Sequence, residues 1–371
     1  MPSLYVHIPF CERKCAYCDF YSLENMTLKE RFLRALETEI ALAPGGDGPS
    51  ATLYFGGGTP SLLTPGELER IMRALARRFP LESGAEVTLE ANPGTVSEEK
   101  LRAFRELGVN RLSIGVQSLA EEDLRFLGRI HDAREAAASV AMARRAGFGN
   151  VSIDLIYSLP GQTIASWDAT LARALALRPD HVSAYGLIVE EGTPLARSVA
   201  RGEVTPNGEE TEAALYEHTM AVMRAGGFEH YEVSSYARAG RRSRHNSAYW
   251  TGEGYAGFGP SAHSYDPPAG TRPGVRRANV AALGAYCDAL AHGDLPLAMR
   301  EELTAAEAAN ERIFLGLRSG GVPLSAVEGA ERRALAGALA REGSAVLEEG
   351  KLRLTDRGYL LCDEIATRMM A

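Results

Sequence analysis

Three of the chain's five cysteines, Cys11, Cys15 and Cys18, fall within eight residues, spaced Cys-x3-Cys-x2-Cys. In a reducing compartment, thiols this close together are metal ligands or catalytic groups more often than disulfide partners. Three readings compete. A structural zinc site takes four ligands, and only His7 lies near enough in sequence to complete one. Buried, inert thiols are the second, since free Cys packs as a small hydrophobe. The third is an iron–sulfur cluster on three thiolates with one iron left open, which suits soft ligands converging from a tight loop. Spacing ranks the cluster above zinc, with Tyr17 and Phe20 expected to shield it. The other two, Cys287 and Cys362, sit in helical patterns and read as ordinary buried thiols.

The elements around that loop alternate. Candidate strands cover 4–8, 52–55, 86–90, 111–115, 152–156 and 181–186, and helical spacing covers 28–42, 65–79, 97–107, 134–146 and 164–177. Thr64-Pro65 and Ser97-Glu98-Glu99 read as helix starts, and Gly108 and Gly147 as stops. Such alternation predicts parallel strands joined by right-handed crossovers. Six units are fewer than the eight of a closed barrel. The expected fold is therefore α/β, a partial (β/α)6 barrel within 1–227 whose sixth helix is Glu209–Ala225. A connecting region over 228–300 follows, and its stretch 231–276 is rich in Tyr, Gly, Ser and Arg without clear period. Within it, 267–274 reads as a surface loop. The remainder, 301–371, reads as a small α+β winged-helix-like domain with a hairpin of 345–348 and 351–354 turning at Glu349-Gly350.

Composition narrows the function classes. With 371 residues, 45% apolar and 24% charged, the chain is an ordinary globular protein, not a disordered or collagen-like one. A formal charge of −8 argues against a protein that works by neutralising nucleic-acid phosphates. Glu301, Glu302, Glu307 and Glu311 argue the same for the C-terminal domain. No signal-peptide pattern opens the sequence, and no apolar run reaches the ~18 residues of a membrane span, so a cytoplasmic chain is expected.

On the strand map the unusual polar residues cluster. Cys11 follows the first strand and Gly56-Gly57-Gly58-Thr59-Pro60 the second. Glu90 ends the third, Gln117 follows the fourth, and Asp154 lies near the end of the fifth. These are C-terminal strand ends, where barrel active sites are built.

With Tyr17 inside it, the Cys11–Cys18 pattern resembles the signature of the radical S-adenosylmethionine superfamily, in which the cofactor's amino and carboxylate groups chelate the open iron. Tyr5-Val-His-Ile-Pro-Phe-Cys11, the GGGTP segment, Glu90-Ala-Asn-Pro-Gly94, Ser113-Ile-Gly-Val-Gln117 and Asp154-Leu-Ile-Tyr-Ser-Leu-Pro160 resemble the oxygen-independent coproporphyrinogen III oxidase family. That likeness runs over most of the chain, and the family's fold is a partial (β/α)6 barrel with a C-terminal HemN-type domain. It implies a [4Fe-4S] cluster on Cys11, Cys15 and Cys18. It also implies an S-adenosylmethionine site made by Tyr5, Tyr17, Gly57, Gly58, Thr59, Glu90, Gln117, Arg129 and Asp154. Within that site the Gly57–Thr59 loop would hold the methionine amino group and Arg129 its carboxylate.

Two branches of the family differ in class. The oxidase decarboxylates coproporphyrinogen III propionates with a 5′-deoxyadenosyl radical, carries a fourth Cys two residues past the third, and tends to extend N-terminally. Phe20 stands at that fourth position here. The HemW-type haem chaperone keeps the cluster and cofactor site and carries an HNxxYW motif, which His245-Asn246-Ser247-Ala248-Tyr249-Trp250 resembles. On this likeness haem is cargo, with His245 as axial ligand, Asn246 orienting it, and Tyr249 and Trp250 against the porphyrin. His263 is the runner-up ligand, and Arg241, Arg242 and Arg244 are candidates for the propionates. The implied partners are haem, a reductant for the cluster and acceptor haemoproteins, respiratory membrane enzymes among them, with transient membrane association there. Nucleic acid is not among them.

Overall fold

The structure is a computed structural model that describes residues 2–45 and 48–370. Six parallel strands, β1 (Ser3–Ile8), β2 (Ser50–Gly57), β3 (Leu81–Ala91), β4 (Arg111–Gln117), β5 (Val151–Tyr157) and β6 (His181–Gly186), are consecutive neighbours in one sheet. One face of each strand is apolar: Leu4, Val6 and Ile8 of β1 and Val151, Ile153 and Leu155 of β5 are all fully buried, and they alternate with Tyr5, His7, Ser152 and Asp154 on the other face. Helices close each crossover where their caps dictate. Thr64 accepts from Glu67 N while the Glu67 carboxylate accepts from Thr64 N, a reciprocal cap that fixes the start of Pro65–Arg78. That helix buries Leu68, Ile71 and Leu75, one apolar stripe, against the sheet's core. Gly108 and Gly147 end their helices with φ of +105° and +89°, which only glycine adopts without strain.

The sheet does not stop at six strands. β7 (Glu229–Glu232) and β8 (Ser235–Ala237) extend it antiparallel beyond β6. Beyond β1 come β9 (Tyr255–Phe258), parallel to it, then β10 (His263–Asp266), β11 (Gly274–Asn279) and β12 (Leu297–Leu303), all antiparallel. The twelve strands run in the order β12-β11-β10-β9-β1-β2-β3-β4-β5-β6-β8-β7. The stretch 231–276, without a sequence period, thus carries most of these added strands. They are short, and β12 exposes its first six residues, so no apolar alternation marks them. The segment expected as a surface loop does connect β10 to β11.

Glu39, on the helix Lys29–Leu42, locks the added strands to the barrel. Its buried carboxylate accepts from Gly259 N at 2.7 Å, Asn279 Nδ2 at 2.5 Å and Tyr286 Oη at 2.6 Å.

The C-terminal part has its own core, built from Ile313, Leu317, Val322, Leu339, Leu352, Ile365 and Met369. Its hairpin pairs Ala345–Glu348 with Lys351–Leu354, and Glu349 and Gly350 both take positive φ, +51° and +72°, as the tight hairpin turn needs. Tyr359 packs against both cores, with its ring 4.6 Å from that of His230 on β7. Cys287 and Cys362 are buried, as expected. Among the described residues, no helix is long and apolar enough to cross a membrane.

Candidate functional site

A cavity of about 430 Å³ opens at the C-terminal ends of the six parallel strands. The Cys11–Cys18 loop leaves β1 through a closed neck. Cys11 N donates to Leu23 O at 3.0 Å, and Leu23 N returns to Pro9 O at 2.8 Å. All three thiols are free, half-buried and on the cavity wall. Tyr17 lines the wall beside them, and Phe20 lines the same cavity but is 66% exposed, not the buried shield expected. The zinc reading loses its fourth ligand, because His7 Nε2 is held by Tyr21 O at 2.8 Å and Nδ1 by Tyr5 Oη at 3.2 Å. Among the described residues no three His, Cys, Asp or Glu side chains converge on a single-ion site. A cluster spreads its thiolates over separate irons and needs no such convergence.

The loop after β2 reaches the same wall. Gly57 has φ +107°, and a Cβ there would lie 2.6 Å from the His7 ring. A Cβ on Gly58 would lie 2.6 Å from Phe10 O. Here glycine answers to β1 and the chain leaving it: Gly58 N donates to Ile8 O at 2.9 Å and Thr59 N to Phe10 O at 2.7 Å. Thr59 Oγ1 then donates to Cys11 Sγ at 3.4 Å and accepts from Asn92 Nδ2 at 2.9 Å. Arg129 completes a chain of contacts, donating to Asn92 Oδ1 at 2.6 Å, Gly115 O at 3.0 Å and Cys15 Sγ at 3.5 Å. Its Nε is buried without a partner.

Two carboxylates stand deeper. Glu90 accepts from Tyr54 Oη at 2.8 Å, and burial pushes its pKa up to about 7. Asp154 accepts from Ser113 Oγ at 3.1 Å and is likewise raised by burial. Arg111, 1% exposed, lies on the same wall with its Nε unpartnered. Gln117 lines the cavity from a left-handed backbone, φ +63°, where the pairing of β4 with β5 slips register. Of the expected cofactor residues, Tyr17, Gly57, Gly58, Thr59, Glu90, Gln117, Arg129 and Asp154 share this wall, and Tyr5 does not. The Tyr5 ring stacks behind that of Tyr54, 6.2 Å away. Sequence reasoning missed Tyr54, Asn92, Arg111, Ser113, Ser183 and Tyr185. The period-two rows Arg111, Ser113, Gly115 and Ser183, Tyr185 were the available signal, polar positions alternating with buried apolar ones. A redox cluster with an amino-acid-bearing cofactor fits this donor set of free thiols, an unsatisfied guanidinium, hydroxyls and buried carboxylates.

The HNxxYW segment forms the helix Arg244–Trp250, and Ser243 caps it. His245 lies off the cavity, with both ring nitrogens hydrogen-bonded. Only 1% exposed, it meets Thr52 Oγ1 through Nδ1 at 2.8 Å and Tyr249 Oη through Nε2 at 2.9 Å. Its backbone N–H donates to Glu86 Oε1 at 3.0 Å, and its ring stacks 5.0 Å from Tyr54. Burial, helped by the charge of Arg111, holds its pKa down to about 3. The expected axial ligand thus sits in this structure as a buried histidine beside β2. Of the motif only Asn246 lines the cavity, while Tyr249 meets the Tyr255 ring edge-on at 4.6 Å and Trp250 is half-buried. Arg244 reaches Gly84 O at 2.9 Å and Arg242 pairs with Glu229 at 3.0 Å. Neither these nor exposed Arg241 lines the cavity, and exposed His263 sits apart on β10.

Residues 5–174 match the radical SAM superfamily and residues 303–361 the HemN C-terminal domain. The chain is 38% identical to the heme chaperone HemW of Bacillus subtilis (strain 168), over 98% of both chains. It is also 38% identical to the heme chaperone HemW of Mycobacterium tuberculosis H37Rv, over 99% of this chain and 94% of that one. The solved structure of coproporphyrinogen III oxidase (HemN) from Escherichia coli matches with a TM-score of 0.84 at 25% identity, over 99% of this chain and 90% of that one.

Proposed function

The chain belongs to the radical SAM superfamily and, within it, to the HemW family, and from that premise we propose that it binds haem and passes it to acceptor haemoproteins. Cys11, Cys15 and Cys18 would hold a [4Fe-4S] cluster, and Thr59, Glu90, Gln117, Arg129 and Asp154 would hold S-adenosylmethionine. When bound, the pair supplies one-electron chemistry. The chain's own residues orient it: Arg129 ties the Cys loop to Asn92 and to β4, and Thr59 links Asn92 to Cys11. Acceptors and a reductant for the cluster follow from the same reading. So does a cytoplasmic chain that meets a membrane only where an acceptor lies in one.

The observation that carries the chaperone reading is Phe20, an exposed aromatic where the oxidase branch places its fourth thiol. The oxidase reading is kept by the near-complete structural match to HemN and by a cavity wall lined by eight of the nine expected cofactor residues, all but Tyr5. Anaerobic reconstitution separates the two on one preparation. We expect a Soret band on adding hemin and no protoporphyrinogen IX from coproporphyrinogen III; turnover without haem binding would reverse the assignment.

A further inference from the structure

We propose that Asn92 raises the reduction potential of the cluster: it passes the charge of Arg129 to Thr59, whose hydroxyl hydrogen-bonds the Cys11 thiolate and so stabilises the reduced state. The proposal rests on the reading of Cys11, Cys15 and Cys18 as cluster ligands, and it gives Asn92 a positioning role.

The chain of contacts has only one possible direction. Arg129 can only donate, so the Asn92 side-chain atom 2.6 Å from its Nη2 must be the amide oxygen. That turns Nδ2, as donor, toward Thr59 Oγ1 at 2.9 Å. Having accepted there, the hydroxyl keeps its single proton for Cys11 Sγ at 3.4 Å. A thiolate that binds iron has no proton of its own and can only accept. Guanidinium, amide, hydroxyl and thiolate therefore polarise in one sense, and each link strengthens the next.

Backbone bonds hold the chain in place without help from the thiols. Thr59 N donates to Phe10 O at 2.7 Å. Asn92, the residue after β3, donates through its N–H to Ser61 Oγ at 3.2 Å. Its carbonyl accepts from Thr95 N at 3.1 Å and Thr95 Oγ1 at 2.7 Å. Arg129 is anchored on Gly115 O at 3.0 Å. Gly115 also leaves room for the pair, since a Cβ there would lie 2.9 Å from Asn92 Oδ1 and 3.4 Å from Arg129 Nη2.

The three thiols are not served alike. Cys11 takes the Thr59 hydroxyl and Cys15 takes Arg129 Nη1 at 3.5 Å, while among the described residues no side chain donates to Cys18. Reduction places added negative charge on the cluster and its sulfurs, and a donor at a sulfur offsets it. Arg129 thus acts on two ligands, on Cys15 directly and on Cys11 through Asn92 and Thr59. Thr59 and Arg129 also face the cofactor on the same reading, so the effect belongs to the cluster before the cofactor binds.

The test is the midpoint potential of the reconstituted protein without S-adenosylmethionine, read from the EPR signal of the reduced cluster at set potentials. Thr59→Val keeps the side-chain shape and deletes the hydroxyl. It is expected to lower the potential by about 59 mV, a tenfold shift in the ratio of reduced to oxidised cluster for one electron. Thr59→Ser restores the hydroxyl and is expected to match wild type. Asn92→Leu is expected to lower the potential by less, and to add nothing in the Thr59→Val/Asn92→Leu double variant, because Asn92 acts through that hydroxyl. Iron and sulfide content shows that each protein holds its cluster. Thr59→Val at the wild-type potential, or Thr59→Ser as low as Thr59→Val, would overturn the bond to Cys11. Asn92→Leu at the wild-type potential, or an additive double variant, would overturn the relay. Should Thr59→Val hold no cluster, the comparison of Asn92→Leu with wild type decides. A wild type that takes up no iron and sulfide sinks the cluster reading itself, a different result from any of these.

Discussion

Arg129 joins parts of the site that lie 37 and 114 residues away in sequence, and its bond lengths say why a guanidinium is needed there. One planar group reaches an amide oxygen, a backbone carbonyl and a thiol at once, which a lysine ammonium on a flexible stem does not reproduce. A residue's neighbours decided the fate of His245 as well. Its motif and type suggested a haem ligand, yet Thr52 and Tyr249 occupy both nitrogens. No sequence pattern announces that Thr52, 193 residues away, sits opposite Nδ1. His245→Ala should therefore act on stability. Loss of two buried hydrogen bonds and a packed ring predicts a cost of about 3 kcal/mol, read from denaturant unfolding. Hemin affinity of the folded variant should match wild type; a selective loss of hemin binding would restore the histidine as ligand.

At the scale of elements, the parallel strands and their helices were legible because two signals coincide at each one. β1 to β6 each carry a row of buried apolar residues at every second position, and the helices announce themselves with Thr64, Ser97, Gly108 and Gly147. The added strands β9 to β12 were not legible. β11 reads Gly-Val-Arg-Arg-Ala-Asn, and its place in the sheet is set by neighbours and by Glu39, not by its own pattern. Glu39 also gives the fold a pH dependence. Burial pushes its carboxyl up to about 7, above the ordinary 4.5, so the folded chain binds a proton that the unfolded chain releases earlier. Its contribution to stability is complete below pH 4.5 and is lost as pH rises through about 7. Glu39→Gln removes that proton, so the fall in urea midpoint between about pH 5 and about pH 8 should shrink relative to wild type. Part of the fall remains, because Glu90 and Glu232 are also raised to about 7. An unchanged fall would remove Glu39 from the account.

Across the whole molecule, two hydrophobic cores meet through Tyr359, which lies on His230 and donates to Ser319 O at 3.2 Å. The C-terminal domain was readable in outline, since its hairpin turn carries Glu349-Gly350, but its attachment to the sheet edge at β7 was not. Tyr359→Ala should uncouple the cores, so that one calorimetric transition becomes two, the C-terminal one melting first. A single transition shifted as a unit would place the coupling elsewhere. The neck of the Cys loop has a consequence for how the protein is made. Cys11 N and Leu23 N close the root of the loop through backbone hydrogen bonds that use none of the three thiols, so the root's geometry does not depend on what the thiols bind. On that geometry, iron and sulfide should enter a receptacle that folding has already shaped. Far-UV spectra of the apo and reconstituted protein should superimpose, and a large gain of structure on reconstitution would show that the metal builds the fold instead of entering it.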